Sequence, residues 1–211
     1  MNAAITGVNG GLMVVAADDP SMHSSQNEQD SRFYGRFAQI PMLEPASQQE
    51  AYDMMRDGMD LSEQWQVPVL MRLTTRLAHS RANVTLRAPR PENPLKLPNS
   101  RRFVLLPSTA RGNYAALLGK QAEFLAKSET SPYNRYEEGK DTSLGIVACG
   151  IAYNYVQEAF DGECPHPVVK ISQYPVPAAL LRRLFKSCKK ILVLEDGMPF
   201  VESQCQGVVD A

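Results

Sequence analysis

Residues 12–32 read LMVVAADDPSMHSSQNEQDSR, and the change of character halfway along this stretch decides the fold. Leu12 to Ala17 is a short, β-branched-rich apolar run, with the turn formers Asn9-Gly10-Gly11 before it and Asp18-Asp19-Pro20 after it. A run that is apolar on both faces suits a buried strand of a parallel sheet. Ser21 to Arg32 is almost wholly polar, so the chain leaves the strand's carboxyl end as a loop. In open α/β sheets that is the end where ligands bind.

Working outward, Ser47-Gln48-Gln49-Glu50 is a capping box, and its Ser hydroxyl and Glu carboxylate can each satisfy a free backbone N–H. Apolar residues recur at Ala51, Met54, Met55, Met59, Leu61 and Trp65, which predicts a helix with one buried face. Pro68 disfavours helix just before it, so the helix ends near Gln66, and Val69 to Leu73 reads as the next strand. Strand, loop, helix and strand make a βαβ unit.

From Arg87 to Pro107 the pattern dissolves among Pro89, Pro91, Pro94, Pro98 and Pro107, the composition of an extended linker laid on the surface. Arg111 to Lys127 reads as one helix with Tyr114, Leu117, Leu118, Phe124 and Leu125 on one side, a bridge between two domains. After Asp141 a second unit follows: strand Leu144–Cys149, a turn at Gly150, helix Ala152–Phe160, strand Val168–Ile171, a helix from Pro177 to about Cys188, and strand Ile191–Leu194. This is a βαβαβ order. The expected domains are 1–86, a linker with bridging helix over 87–140, and 141–211.

Composition excludes several classes. With 22 Lys+Arg against 23 Asp+Glu, the 211-residue chain gives no global electrostatic case for nucleic acid or an anionic membrane. The apolar stretch near the start, Gly11 to Ala17, falls far short of the ~20 residues a bilayer requires. No Lys or Arg precedes it, as a signal peptide would need. Cysteines stand only at 149, 164, 188 and 205, too few and too clustered for a secreted disulfide framework, so a reducing cytoplasm is expected.

Few motifs carry chemistry unaided. Gly7, Gly10 and Gly11 precede a strand instead of opening a helix, so they read as a turn and not a phosphate loop. Gly145 and Gly150 lack the remaining glycines of a dinucleotide fingerprint. No C-x-x-C exists, and no metal site is expected. His23 sits among Ser24, Ser25, Gln26, Asn27 and Arg32, where a ring nitrogen could handle a proton; the bland alternative is a solvated loop. Thr75, Arg76 and His79 follow the second strand at the same sheet edge. Two polar, Arg-containing loops there could hold a small carboxylate, or merely pack on a neighbouring domain.

Longer stretches are more specific. Thr6-Gly7-Val8-Asn9-Gly10-Gly11-Leu12, Ala17-Asp18-Asp19-Pro20 and Met22-His23-Ser24-Ser25-Gln26-Asn27-Glu28-Gln29-Asp30 closely resemble the alpha subunit of indolepyruvate ferredoxin oxidoreductases. Pro41-Met42-Leu43-Glu44-Pro45, Thr74-Thr75-Arg76, His79-Ser80-Arg81, Ser131 to Arg135, Gly145 to Tyr153, Leu194-Glu195-Asp196 and Pro199-Phe200 continue the resemblance over nearly the whole chain. It implies an α/β fold: the later half of a thiamine-diphosphate pyrimidine-binding domain, then a transketolase C-terminal-like βαβαβ domain.

The activity implied is oxidative decarboxylation of indolepyruvate and other aryl 2-oxo acids to acyl-CoA. Electrons would pass through [4Fe-4S] clusters to ferredoxin, with thiamine diphosphate and Mg2+ as cofactors and a beta subunit as partner. Related oxidoreductases for pyruvate, 2-oxoglutarate or branched-chain acids, and a non-catalytic structural or interaction module, are the alternatives. The family's thiamine-activating glutamate lies ahead of the segment matched by Met1, and its diphosphate and cluster motifs lie beyond Ala211. The chain therefore reads as an internal fragment or split-gene piece that binds no cofactor and is inactive alone; self-association is expected by resemblance only. Arg32, with Arg36 as rival, is the arginine the resemblance offers to a substrate carboxylate.

Overall fold

Strand β1 (Met13–Asp18) pairs in parallel with β3 (Val69–Thr74), matching Met13 to Val69 and Asp18 to Thr74. The two are joined through helix α3 (Gln48–Trp65), as the βαβ pattern requires. In this computed structural model, which describes residues 1–98 and 100–209, the first sheet has the order β1-β3-β2-β7. Its last two members are short: β2 (Met42–Leu43) runs parallel to β3, and β7 (Gln173–Tyr174) runs antiparallel to β2 at the far edge.

Position in that order corrects the reading of β1. Among the described residues it is an edge strand, paired with β3, and Val14 and Val15 on opposite faces are 43% and 46% exposed. An apolar run fixes strand propensity, while burial depends on what lies alongside. The buried strand of this sheet is β3, where Val69, Leu70 and Met71 are almost wholly enclosed.

Ser47 Oγ accepts from the Glu50 N–H at 3.2 Å, and the Glu50 carboxylate accepts from the Ala46 N–H at 2.9 Å, so the capping box starts α3. The buried face is Met54, Gly58, Leu61, Ser62 and Trp65, while Met55 and Met59 lie exposed. Gly58 moves the stripe. A Cβ there would come within 2.7 Å of Met13 Sδ and 3.0 Å of Leu43 Cδ1, so only glycine lets the helix sit this close to the sheet.

Residues 85–96 lie against α3, held to it along their length. Thr85 exchanges hydrogen bonds with Gln49, the Arg87 N–H donates to Tyr52 Oη at 3.0 Å, and Arg87 and Arg90 pair with Asp57. The single helix expected over 111–127 is two, α5 (Pro107–Gly119) and α6 (Gln121–Glu129). The Lys120 N–H closes a tight last turn onto Leu117 O at 3.2 Å, after Gly119 weakens the helix. Leu117 and Phe124 are buried, the latter against Trp65 with ring centroids 4.7 Å apart, but Tyr114 and Leu118 face solvent.

The second sheet has the order β4-β6-β5-β8. Strands β5 (Gly145–Cys149), β6 (Val168–Ile171) and β8 (Ile191–Leu194) are parallel, and the short β4 (Arg135–Glu137) runs antiparallel to β6. Helices α7 (Ala152–Ala159) and α8 (Ala178–Ser187) complete the expected βαβαβ order. Ser172 alone separates β6 from β7, so the chain steps from the second sheet directly into the first. Asn134 holds this step: its Oδ1 accepts from the Ser172 and Gln173 N–H groups at 2.7 and 2.9 Å.

Three helices lie outside the expectations: α1 (Asn2–Thr6), α2 (Arg32–Ala38) and α4 (Thr75–His79); a fourth, α9 (Phe200–Val209), packs Phe200 and Val201 into the core beside Tyr174. All four cysteines are free. Among the described residues no helix is long and apolar enough to cross a membrane.

Candidate functional site

The register of β1 and β3 places Asp18-Asp19 and Thr74-Thr75 side by side at the sheet's carboxyl end, and one carboxylate joins the two loops. Asp19 accepts from the Ser24 and Ser25 N–H groups, each at 2.7 Å, and from the Thr75 hydroxyl at 2.5 Å. The Thr75 bond, followed by those two amides, holds the Asp19 carboxyl well below the ordinary carboxylate range. The loop is stitched further by Ser21 N–H to Glu28 at 2.9 Å and Asp19 N–H to Gln29 at 3.2 Å. Ser21 and Met22 both take positive φ, 67° and 54°, an uncommon pair for residues other than glycine.

This arrangement titrates with a definite sign. Asp19 binds a proton less readily when folded than when unfolded, so its contribution is full above the ordinary pKa of ~3.9 and drains as pH falls below it. Hydrogen exchange should find the Ser24 and Ser25 amides protected at pH 7 and 5 and progressively open in acid. In Asp19→Asn they should be weakly protected at every pH. Equal protection in both proteins would show that the carboxylate does not hold the loop.

His23, Ser24, Gln26 and Asn27 are exposed on this loop, and Ser25 is half-buried. On α4, Arg76 and His79 are exposed at the same edge, with the Arg76 guanidinium lying over the Tyr155 ring of α7 at 5.4 Å. The structure thus gathers His23 to Asn27, Thr75, Arg76 and His79 at one edge. Arg36 stands apart, exposed on α2, where it lines a cavity of about 300 Å3 with Tyr174 and Phe200.

Arg32 lies under the loop instead of on it. Its side chain is fully buried, with Nε donating to Asp30 at 2.8 Å, Nη1 to Glu195 at 2.8 Å and Nη2 to Asp30 and to Met198 O. Arg72 of β3 lies beside it, 1% exposed, donating to Asp18 at 2.6 Å, to Glu44 at 2.5 Å and to Asp196 O at 2.7 Å. Tyr174 donates its hydroxyl to the other Glu44 oxygen at 2.5 Å. Burial opposes both positive charges, but Asp30 and Glu44 outweigh it, so both guanidiniums stay protonated.

Asp18, Asp30, Glu44 and Glu195 therefore fill both arginines, and this buried network ties the first sheet to the β8–α9 corner. The Glu195 carboxylate also accepts from the Val201 and Glu202 N–H groups at 2.9 and 3.2 Å, starting α9. Sequence reasoning misses this network. Its one visible signal is Arg72, a charge in the middle of an apolar strand.

Comparison with known proteins gives the site its context. No family model matches the chain. It is 40% identical over 213 residues to indolepyruvate oxidoreductase subunit IorA of Methanothermobacter thermautotrophicus, covering 99% of this chain. It is also 40% identical over 218 residues to the same subunit of Pyrococcus abyssi, covering 97%. The chain spans about a third of the length of these curated relatives, 34% and 33%. The resemblance carried by the motifs thus extends over nearly all of the chain. Among solved structures, 2-oxoglutarate:ferredoxin oxidoreductase from Magnetococcus marinus superposes with a TM-score of 0.65 at 16% identity, over 97% of this chain and 44% of that one. The fold is therefore the mixed α/β fold of that oxidoreductase.

Proposed function

We propose that this chain is the segment of an indolepyruvate-type 2-oxo acid oxidoreductase that bears one wall of the substrate site. The complete enzyme would oxidatively decarboxylate aryl 2-oxo acids to acyl-CoA, releasing CO2 and passing electrons through iron–sulfur clusters to ferredoxin, with a beta subunit as partner. The observation that carries this reading is the 40% identity to subunit IorA across 97–99% of the chain, which includes both edge loops. The carboxyl edge of a parallel sheet is also the expected ligand end.

Thiamine diphosphate would supply the electron sink for decarboxylation when bound. The donor set of this chain does not fit its diphosphate and Mg2+: among the described residues no three His, Cys, Asp or Glu side chains converge to hold a metal. The edge carboxylate Asp19 is already taken up by Ser24, Ser25 and Thr75. These residues carry no chemical step on that group. Their part is to bind and orient.

For a substrate carboxylate, Arg32 is filled by Asp30 and Glu195, and Arg36 lies off the edge. Arg76 takes the role in our reading, since it is exposed beside Thr75 and steadied by Tyr155. The test is CoA-dependent viologen reduction by the full-length subunit in its complex, with indolepyruvate, phenylpyruvate, pyruvate, 2-oxoglutarate and a branched-chain acid. Aryl acids should give the highest kcat/KM, and Arg76→Met should raise KM for the acid and leave that for CoA unchanged. Preference for a non-aryl acid would transfer the assignment to that substrate. No CoA-dependent reduction with any acid would leave a structural module.

A further inference from the structure

Residues 164–194 hold six lysines and arginines and no aspartate or glutamate, in a chain that carries 22 cationic and 23 acidic side chains overall. Lys170 is buried and paired with Glu50. The other five, Arg182, Arg183, Lys186, Lys189 and Lys190, are exposed on α8 and on the turn that leads into β8. Leu181 and Leu184 anchor the inner side of α8 in the core, which leaves the cations on its outer side.

Stability does not account for this row. Lys186, in the last turn, complements the helix dipole. Arg182 stands one turn earlier, where a like charge at i+4 disfavours helix, and Lys189 and Lys190 lie beyond the helix. Among the described residues Arg182, Lys186, Lys189 and Lys190 make no ion pair. Of the nearby acids, Glu138 pairs with Arg183, and Asp141 accepts from the Ser143 N–H at 2.9 Å. The Arg183 guanidinium is also fixed over the Tyr136 ring at 3.9 Å.

The surroundings select the partner. Leu192, two residues past Lys190, is 42% exposed, and among the described residues its strand β8 is the edge of the second sheet. A small apolar centre beside a cationic rim suits a protein surface of opposite charge. Nucleic acid fits less well, because the ring at hand, Tyr136, is covered by Arg183 and offers no face to a base.

We propose that α8 and the turn after it form a docking surface for an acidic protein that binds transiently, steered by Arg182, Lys186, Lys189 and Lys190. Exposed charge of this kind raises the rate of encounter more than the strength of a permanent interface. The surface rests on these charges alone. Naming the partner as the iron–sulfur electron carrier rests on the function proposed above; a cluster held by four thiolates adds to such a carrier's negative charge.

The experiment takes the full-length subunit in its complex, with a [4Fe-4S] ferredoxin as the acidic probe. Binding is titrated at low and high salt, and turnover is read both with ferredoxin and with viologen. Affinity should fall steeply with salt. The triple variant Arg182→Glu, Lys186→Glu, Lys190→Glu should weaken binding and raise KM for ferredoxin about tenfold at low salt, with viologen reduction unchanged. The corresponding glutamine variant should fall between, and both should unfold at the temperature of the unaltered protein, since all three positions are exposed.

Ferredoxin binding unmoved by charge reversal would overturn the surface. So would loss of assembly with the beta subunit, which would make the patch a permanent interface, or a raised KM for CoA, which would make it a phosphate site. Tighter binding of a single-stranded oligonucleotide than of ferredoxin would overturn the choice of an acidic protein. If aryl acids reduce viologen but ferredoxin binding ignores the variants, the surface fails and the functional reading stands. If ferredoxin binds through the patch and no aryl acid is turned over, the reverse holds.

Discussion

Arg72→Ala should cost about 3–5 kcal/mol of stability, the usual cost of removing one partner from a buried ion network. The side chain donates to the buried carboxylates of Asp18 and Glu44 and to the half-buried Asp196 O. Deleting it leaves two buried carboxylates facing Asp30, with Arg32 alone to offset them. Arg72→Lys should recover only part of the loss, because one ammonium cannot aim at three acceptors as the planar guanidinium does. Hydrogen exchange on the full-length protein should show the opening at the carboxyl ends of β1 and β3 and at residues 195–198, with the second sheet's β5 and β6 still protected. A loss under ~1 kcal/mol would mean that the network is solvated and that the loop rests on Asp19 alone.

Gly197→Ala attacks the same network from the other unit. Gly197 has a φ of +125°, which side-chain-bearing residues rarely adopt, and an added Cβ would lie 2.8 Å from Asp30 Oδ2 and 3.0 Å from Arg72 Nη2. Backbone strain should cost about 1–3 kcal/mol, and displacing the packed ion pairs about 1–3 kcal/mol more. The β8–α9 corner should loosen first, because Met198 O and Asp196 O would move away from Arg32 and Arg72. Thermal unfolding with exchange at residues 195–201 reads this directly. A fully stable Gly197→Ala protein would show that the corner tolerates a shift and that the units are not locked through it.

The sequence made some of this legible. Apolar runs place β3, β5, β6 and β8 to within a residue because strand propensity and bounding turns are local. The Ser47–Glu50 box places α3 for the same reason. The loop at His23 and its neighbour at Thr75 follow from strand order alone, since both leave the carboxyl ends of parallel strands.

What stays hidden depends on distant partners. Arg32 reads as a loop charge, yet its Glu195 partner lies 163 residues away, and no local pattern announces a buried guanidinium. β1 reads as interior because Val14 and Val15 are apolar, whereas exposure depends on its place at the edge of the sheet. β2 and β7 are two residues each, too short for any period to show. The break at Lys120 and the short helix α2, which opens directly from a polar loop, likewise lack a periodic signal.

The measurement that bears most directly on the account is the ratio of kcat/KM for indolepyruvate to that for pyruvate and for 2-oxoglutarate, read as viologen reduction by the complete complex with and without CoA. The account predicts a ratio well above one, dependence on CoA, and a KM for the acid that rises when Arg76 is changed to Met. A ratio below one, or reduction that does not require CoA, would contradict it.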